Sequence, residues 1–211
     1  MEFKKLISIF NNFDKIELPG EAAHIEIAPY RSERFNKQKK DPRHAAVLLH
    51  IYPIKNKAYF TLIKRTTYDG AHSGQIALPG GKVEKEDFDL TETALREAKE
   101  ETNITSEKIK IIGELTKIYI PPSNFYVTPI LSLHDTKPNY ILQKNEVEKI
   151  IEVKLSDLLD SKNMLNTDIK LRNGEILNTP SFKLNNEIVW GATAMILNEL
   201  RIIIKSQFIL K

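Results

Sequence analysis

The stretch from Gly80 to Ile104 reads GGKVEKEDFDLTETALREAKEETNI, and it is the part of the chain that decides the fold. Asp89 followed three residues later by Glu92 matches the pattern of a capping box, which marks the start of a helix. The Ala, Leu, Arg, Glu and Lys residues that follow are good helix formers. The sequence therefore predicts a loop that leads into a helix.

One face of this predicted helix is strongly acidic. Glu97, Glu100 and Glu101 stand at positions i, i+3 and i+4, so their carboxylates project from the same side. Like charges this close destabilise a helix unless a cation binds between them. Ligand sets made only of oxygen select a hard ion, so the pattern predicts bound Mg2+ or Mn2+. A charged helix face that is simply solvated is the alternative explanation.

The segment resembles the Nudix box, which is a Gly, five residues, a Glu, seven residues and then Arg-Glu-apolar-any-Glu-Glu-any-Gly-apolar. Gly81 matches the opening glycine. The core of the box is filled by Arg96, Glu97, Ala98, Glu100, Glu101 and Ile104. Asp87 stands in place of the first Glu, one extra residue precedes Arg96, and Asn103 replaces the closing Gly. Because Asn tolerates the left-handed conformation that ends a helix, we expect the helix to be retained.

The resemblance implies an α/β sandwich in which a mixed β-sheet lies between helices, and hydrolysis of pyrophosphate bonds with Mg2+ or Mn2+ as cofactor. The metal ligands would be Glu97, Glu101, Glu100 and the backbone carbonyl of Gly80. The general base would be Glu100 or the distant Glu146. Arg96 would serve the catalytic site by orienting glutamates through charge-assisted hydrogen bonds.

Other segments resemble one branch of this family, the coenzyme A diphosphatases. The similarity lies in short runs at residues 62–65, 72–75, 78–81, 120–125, 145–147 and 190–194. The branch usually has Arg and Phe where this chain has Gly70 and Leu78. The resemblance implies cleavage of coenzyme A or acyl-CoA to adenosine 3',5'-bisphosphate and a phosphopantetheine product.

The signature ahead of the box supplies the candidate substrate contacts. The planar guanidinium of Arg65 can donate two parallel hydrogen bonds to a phosphate. His72, Gln75 and Gly81 complete the predicted set. For His72 a structural hydrogen bond between strand and loop is an equally good explanation, and for Gln75 loop shaping is the better one.

Three alternatives stay open on the sequence alone. ADP-ribose, a nucleotide sugar or a dinucleotide could replace coenzyme A as the substrate. A non-catalytic ligand-binding module of the same fold would predict broken box carboxylates, yet Glu97, Glu100 and Glu101 are all present. A nucleic-acid binder would be expected to carry a basic stripe or arm, and a net charge of +3 offers little of either.

Size and composition bound the remaining expectations. A chain of 211 residues can bury a sizeable core. The sequence has no cysteine, which excludes disulfides, and we expect neither a membrane span nor a signal peptide. We therefore expect a cytoplasmic protein that binds neither nucleic acid nor a membrane, and the family resemblance implies a small nucleotide as its substrate. The oligomeric state stays open, with a homodimer as one option.

Hydrophobic patterning divides the chain into an N-terminal helix and extension, residues 1–40, and a main domain, residues 41–211. In the first part, the pattern predicts a helix over residues 3–13 that Pro19-Gly20 ends. In the second, strands are predicted at 45–52, 58–65, 109–114, 115–120, 125–131, 150–153 and within 182–189, with a bulge or turn at Gly113. A short helix opened by Ser156 and a C-terminal helix after Trp190 complete the prediction.

Overall fold

A mixed β-sheet forms the centre of the computed structural model, which describes residues 1–30, 40–67, 73–171 and 173–209. Its strands are β1 (Arg43–Ile54), β2 (Lys57–Arg65), β3 (Ile76–Ala77), β4 (Gly80–Lys82), β5 (Ile109–Glu114), β6 (Ile118–Ile120), β7 (Phe125–His134) and β8 (Val147–Lys154). The strand order is β3-β2-β1-β7-β5, while β4 pairs with β1, β6 with β7 and β8 with β2. β1 and β7 run parallel and the other pairs are antiparallel, so the sheet is mixed as predicted.

The described residues also form helices and a second, smaller sheet. The α-helices are α1 (Phe3–Phe10), α2 (Gly20–Ile27), α3 (Leu90–Thr102), α4 (Leu155–Leu159) and α5 (Gly191–Ile209). The second sheet is antiparallel, in the order β11-β10-β9, with β9 (Met164–Lys170), β10 (Ile176–Leu184) and β11 (Glu187–Val189). No helix within these described ranges has the length and apolar character that crossing a membrane requires.

The main sheet lies between helices because both faces of β1 are apolar. Ala46 and Leu48 pack with α3 on one face, in a cluster that includes Ala94 and Ala98. Leu49 and Ile51, whose side chains alternate with these, belong to the cluster formed with α1, α2 and α5 on the other face. The predicted α/β sandwich is confirmed.

Most of the predicted elements are present. The strands predicted at 45–52 and 58–65 form the β1–β2 hairpin, whose turn residues Lys55 and Asn56 have the positive φ angles of a tight hairpin turn, 47° and 62°. At Gly113 the pairing of β5 with β7 shifts register, as predicted. A Cβ on Gly113 would lie 2.5 Å from Cε1 of Phe13, so a glycine is required for this close approach.

Three details of the prediction were wrong. Pro19-Gly20 does not simply end α1, because Gly20 begins α2, which α5 holds by a hydrogen bond from the Asn198 amide to the Ala23 carbonyl (2.8 Å). The strand predicted at 115–120 is limited to β6. The side chain of Ser156 does not open α4, because it hydrogen-bonds Asp157 instead of capping the helix.

Both ends of α3 are defined by side chains that the sequence pointed to. The Asp89 carboxylate accepts a hydrogen bond from the backbone N–H of Glu92 at 2.8 Å, which confirms the predicted N-cap. The Glu92 carboxylate reaches back to the N–H of Phe88. At the other end Asn103 has φ 61° and ψ 25°, the left-handed conformation that commonly ends a helix.

The conformation of Asn103 leads to a testable prediction about stability. Asn103→Ala keeps a Cβ atom in the left-handed region but lacks the polar side chain that lets Asn tolerate this conformation. The variant should therefore lower the free energy of unfolding by roughly 1–2 kcal/mol. Asn103→Gly loses only the exposed hydrogen bond from the side chain to the Asn139 carbonyl and should stay within about 0.5 kcal/mol of the parent. Urea denaturation measures both variants, and equal stability of the two would contradict this explanation of the helix end.

Candidate active site

Glu101 is the most deeply buried of the three glutamates on the acidic face of α3, with 1% of its surface exposed. Its Oε2 accepts a hydrogen bond from the backbone N–H of Gly80 at 2.9 Å, and its Oε1 accepts one from Nη1 of Arg65 at 3.1 Å. Burial raises the pKa of Glu101 to about 7 despite these two donors, and the charges of Glu97 and Glu146 add to the increase. One carboxylate therefore joins α3 to β2 and β4.

Glu97 lies against the glycine that opens the box. A Cβ on Gly81 would come within 2.4 Å of the carboxylate carbon of Glu97, so any side chain at Gly81 would displace this carboxylate. Burial raises the pKa of Glu97, Arg96 opposes the increase, and the charges of Glu100 and Glu146 add to it. Glu100 is more open, with 58% of its side chain exposed.

Arg96 binds the loop of the box to the acidic face. Its Nε and Nη2 donate to the two oxygens of Asp87 at 2.8 and 3.0 Å, a bidentate pair. Its Nη1 donates to Glu97 at 3.0 Å and to Glu100 at 3.4 Å. A further bond from Nη2 reaches the carbonyl of Lys82 at 3.0 Å. The guanidinium of Arg96 therefore binds groups of both the loop and the helix.

Asp87 is a site residue whose contacts sequence reasoning did not foresee. Its side chain is almost fully buried, with 2% exposed, and also accepts hydrogen bonds from the Glu84 N–H (2.9 Å) and the Thr93 hydroxyl (2.8 Å). The bond with Arg96 holds the pKa of the Asp87 carboxyl well below its usual range. A shorter acid in a loop that is one residue longer therefore still reaches the arginine.

Glu146 is distant in sequence but close to α3. Its backbone carbonyl accepts from the N–H of Thr66 at 2.9 Å, and the preceding loop is bound to α3 through the Gln143 N–H and the Glu101 carbonyl, 3.0 Å apart. The Glu146 side chain is exposed, and its charge contributes to raising the pKa values of Glu97 and Glu101. This carboxylate is therefore near enough to Glu97 and Glu101 for its charge to act on them.

The chemistry of these donors fits a hard divalent cation. Glu97, Glu100, Glu101 and Glu146 offer only oxygen ligands, and their mutual repulsion is the condition that a bound cation would relieve. As placed in the described ranges, no three His, Cys, Asp or Glu side chains converge closely enough to hold an ion. The carboxylates are instead paired with arginines, Glu97 and Glu100 with Arg96 and Glu101 with Arg65. Gly80 meets this cluster through its N–H, although the sequence analysis assigned its carbonyl.

A cavity of about 900 Å3 opens beside the acidic cluster. Arg65, Gln75 and Gly81 of the predicted substrate contacts line it, as does Gly80, and the buried Nε of Arg65 has no hydrogen-bond partner among the described residues. The fourth predicted contact, His72, lies outside the described residues. Residues of β9, β10 and the start of α5 also line the cavity. Sequence reasoning noted the run 190–194 but assigned it no place in the site.

Gly80 allows the close approach of β4 to β1 on which this site depends. Its φ of +150° is outside the range that residues with side chains favour, and a Cβ would lie 2.4 Å from the Ala46 carbonyl oxygen. Only glycine can therefore stand here with its N–H directed at Glu101.

Comparison with known proteins gives a consistent result. Residues 42–174 match the family model described as NUDIX domain. The chain is 37% identical over 160 residues to the uncharacterized Nudix hydrolase NudL of Photorhabdus laumondii. The aligned region covers 75% of this chain and 83% of that protein. A NudL protein of Yersinia enterocolitica is 32% identical over 174 residues, or 79% of this chain and 88% of that one. The crystal structure of the Nudix hydrolase RenU from M. Smegmatis has the same fold, with a TM-score of 0.55, 15% identity and coverage of 78% of this chain and 87% of that one.

The raised pKa of Glu101 predicts an unusual dependence of stability on pH. Without metal, the folded chain binds a proton at Glu101 more tightly than the unfolded chain does, so stability should fall as the pH rises from about 4.5 through 7. Glu101→Gln has no group that titrates at this position. The free energy of unfolding of this variant, compared with that of the parent, should therefore increase from pH 5 to pH 8 by up to about 3 kcal/mol.

Denaturant titrations in EDTA at the two pH values measure this change. The control is Glu107→Gln, which removes an exposed carboxylate beyond the end of α3 and should leave the pH dependence of the parent unchanged. A stability difference between Glu101→Gln and the parent that is the same at pH 5 and pH 8 would contradict the assigned pKa.

Proposed function

The chain belongs to the Nudix hydrolases, which cleave pyrophosphate bonds, and we propose that it is a Mg2+- or Mn2+-dependent diphosphatase of coenzyme A or acyl-CoA. Its products would be adenosine 3',5'-bisphosphate and phosphopantetheine or its acylated form. The observation that carries the proposal is that sequence runs far apart in the chain, each resembling coenzyme A diphosphatases, meet around one cavity beside the acidic helix face.

These runs contribute to the site in different ways. Arg65, Gln75 and Gly81 come from the runs at 62–65, 72–75 and 78–81, and each lines the cavity. The runs at 120–125 and 190–194 supply the walls from Ile120 to Ser123 and from Trp190 to Thr193. The run at 145–147 carries Glu146, whose charge raises the pKa values of Glu97 and Glu101. A set of unrelated surface motifs would have no reason to converge in this way.

The acidic cluster would hold the divalent ion that Nudix hydrolases generally need. We assign Glu97 and Glu101 as its principal ligands, Glu100 as a further ligand or the base, and the carbonyl of Gly80 as an additional oxygen donor. When bound, the ion would neutralise charge on the phosphate oxygens and lower the pKa of a water molecule. Arg96 donates to one oxygen of Glu97 and to one oxygen of Glu100, so the second oxygen of each carboxylate would bind the ion.

The arginines have separate tasks in this proposal. Arg65 would bind a phosphate of the substrate, because it lines the cavity and its buried Nε makes no hydrogen bond within the part of the chain that the structure describes. Arg96 would orient Glu97 and Glu100, because its contacts are with these carboxylates, with Asp87 and with the Lys82 carbonyl.

Proton transfer would fall to a carboxylate at the edge of the cluster. When water attacks a phosphorus of the diphosphate, the P–O anhydride bond breaks and the water loses a proton. Glu100 and Glu146 are both exposed, so either could accept this proton and release it to solvent. Glu146 has the advantage that its backbone is bonded to Thr66, just after β2, and its loop to α3.

The assignment of the metal site predicts the effect of Glu97→Gln. The variant keeps the volume of the side chain and removes one charge from the cluster, so it should fold and should lose roughly 100-fold or more in turnover. Glu92→Gln, on the same helix but away from the cluster, keeps an oxygen that can accept from the Phe88 N–H and should retain activity.

Activity is measured with Mg2+ or Mn2+ on coenzyme A, ADP-ribose, a diadenosine polyphosphate and a nucleoside triphosphate. Turnover by Glu97→Gln at the parent rate would refute the metal site. If the parent used coenzyme A least well of the four, the substrate would be wrong while the type of reaction stood.

A further inference from the structure

The loop between β7 and β8, residues 135–146, connects the interior of the protein with Glu146. Tyr140 lies in the middle of this loop, is half-buried and packs against the apolar cluster between the sheet and α3. Its hydroxyl shares a hydrogen bond of 2.8 Å with the hydroxyl of Thr61 in β2. Glu146, at the end of the loop, is exposed. One loop therefore carries both a side chain anchored in the sheet and a candidate proton acceptor.

The hydroxyl of Thr61 is itself held in place by other buried groups. Its Oγ1 lies 3.4 Å from Nδ1 of His50, and Nε2 of His50 lies 3.3 Å from Nδ1 of His134. Burial lowers the pKa of His50 to about 3 and raises the pKa of Tyr140 to about 12, so both are neutral at neutral pH. A buried polar group that lost its partner would stay unpaired, which is costly, so this chain of groups keeps one arrangement. The sheet therefore sets the position of Tyr140.

The loop also contacts the last turn of α3 through its backbone. The N–H of Ile141 donates to the Thr102 carbonyl at 3.1 Å, and the N–H of Gln143 donates to the Glu101 carbonyl at 3.0 Å. Ile141 and Gln143 are exposed, so water competes for these two bonds. The hydrogen bond of Tyr140 is better shielded, because its partner hydroxyl belongs to a fully buried residue. The side chain of Tyr140 therefore gives the loop an anchor that its backbone bonds do not supply.

We infer that Tyr140 is a positioning residue, which sets the place of the Glu146 carboxylate by fixing the loop against the sheet, and that Glu146 rather than Glu100 is the general base. Only residues 141–145 separate the two positions, so a shift of the ring is passed on to the carboxylate. A general base must lie within hydrogen-bond reach of the proton that it accepts, and small displacements are costly in rate. The inference rests on the proposed function, because Glu146 has a proton to accept only if the chain hydrolyses a diphosphate.

The first test removes the hydroxyl of Tyr140 and keeps its ring. Tyr140→Phe should lower kcat by roughly tenfold, because the loop is less firmly placed. KM should stay within about threefold of the parent value, since Tyr140 and Glu146 are not among the described residues that line the cavity. Thr61→Val removes the other hydroxyl of the same bond and should have the same effect. Both are measured on the substrate that the parent cleaves best among the four named above.

The matched control is Thr179→Val, which removes a buried hydroxyl far from the loop in the sequence. Thr179 is on β10, is as well buried as Thr61, and donates a hydrogen bond to the Ile27 carbonyl at 3.1 Å. The loss of this bond should lower stability, as it does in Thr61→Val, but should leave kcat unchanged. Thermal melting verifies that every variant is folded.

A double-mutant cycle shows whether Tyr140 acts through Glu146. Glu146→Gln should lower kcat, and adding Tyr140→Phe to it should change kcat by less than about twofold, because the base is already absent. A merely structural role of the tyrosine would lower kcat by the same factor in both backgrounds. Hydrogen exchange gives a readout that does not need activity. Amides of residues 141–147 should exchange faster in Tyr140→Phe and Thr61→Val than in Thr179→Val.

The outcomes separate the two proposals. If the parent cleaves none of the four substrates, the proposed function is wrong, and hydrogen exchange alone then judges whether Tyr140 fixes the loop. Unchanged exchange of residues 141–147 in Tyr140→Phe would overturn that role. In an active parent, the inference would be overturned by a Glu146→Gln variant that keeps the parent rate. It would also be overturned by an unchanged kcat in Tyr140→Phe, or by equal losses in both backgrounds of the cycle.

Discussion

The contact of the Glu101 carboxylate with Gly80 and Arg65 is the constraint on which the rest of the site depends. A buried carboxylate is costly unless donors surround it, and here one comes from β4 and one from β2. This arrangement fixes the C-terminal half of α3 against the edge of the cavity, and it works only because Gly80 can bring its N–H so close. The two donors do not fully offset burial, as the raised pKa shows. The protein therefore maintains an acid cluster that a cation would stabilise.

A second charge contact, between Arg96 and Asp87, gives the loop of the box its shape. The two contacts have different structural roles, since Glu101 joins the helix to the sheet and Arg96 joins the helix to the loop. Between them lies Glu97, confined by Gly81 on one side and bonded to Arg96 on the other. Because α3 is also closed at both ends by Asp89 and Asn103, the acidic face is presented by a rigid element.

Much of the fold could be predicted from the sequence, because its signals are local. The cap at Asp89, the alternation in β1 and β2 and the bulge at Gly113 each follow from a few neighbouring residues. By contrast, α2 and β9 were not predicted, since α2 is held by contacts with α5 and β9 by pairing with β10. Sequence spacing placed the three glutamates on one face, but it could not show that Arg65 reaches Glu101 or that β10 and α5 enclose the cavity. These contacts are made only by tertiary packing.

The central claim is that the acidic cluster binds a divalent cation, and titration with Mn2+ followed by electron paramagnetic resonance tests it most directly. The account predicts saturable binding at pH 8, weaker binding at pH 6 because the proton on Glu101 competes with the ion, and loss of this site in Glu101→Gln. Binding that does not saturate, or that is as tight in Glu101→Gln as in the parent, would contradict it.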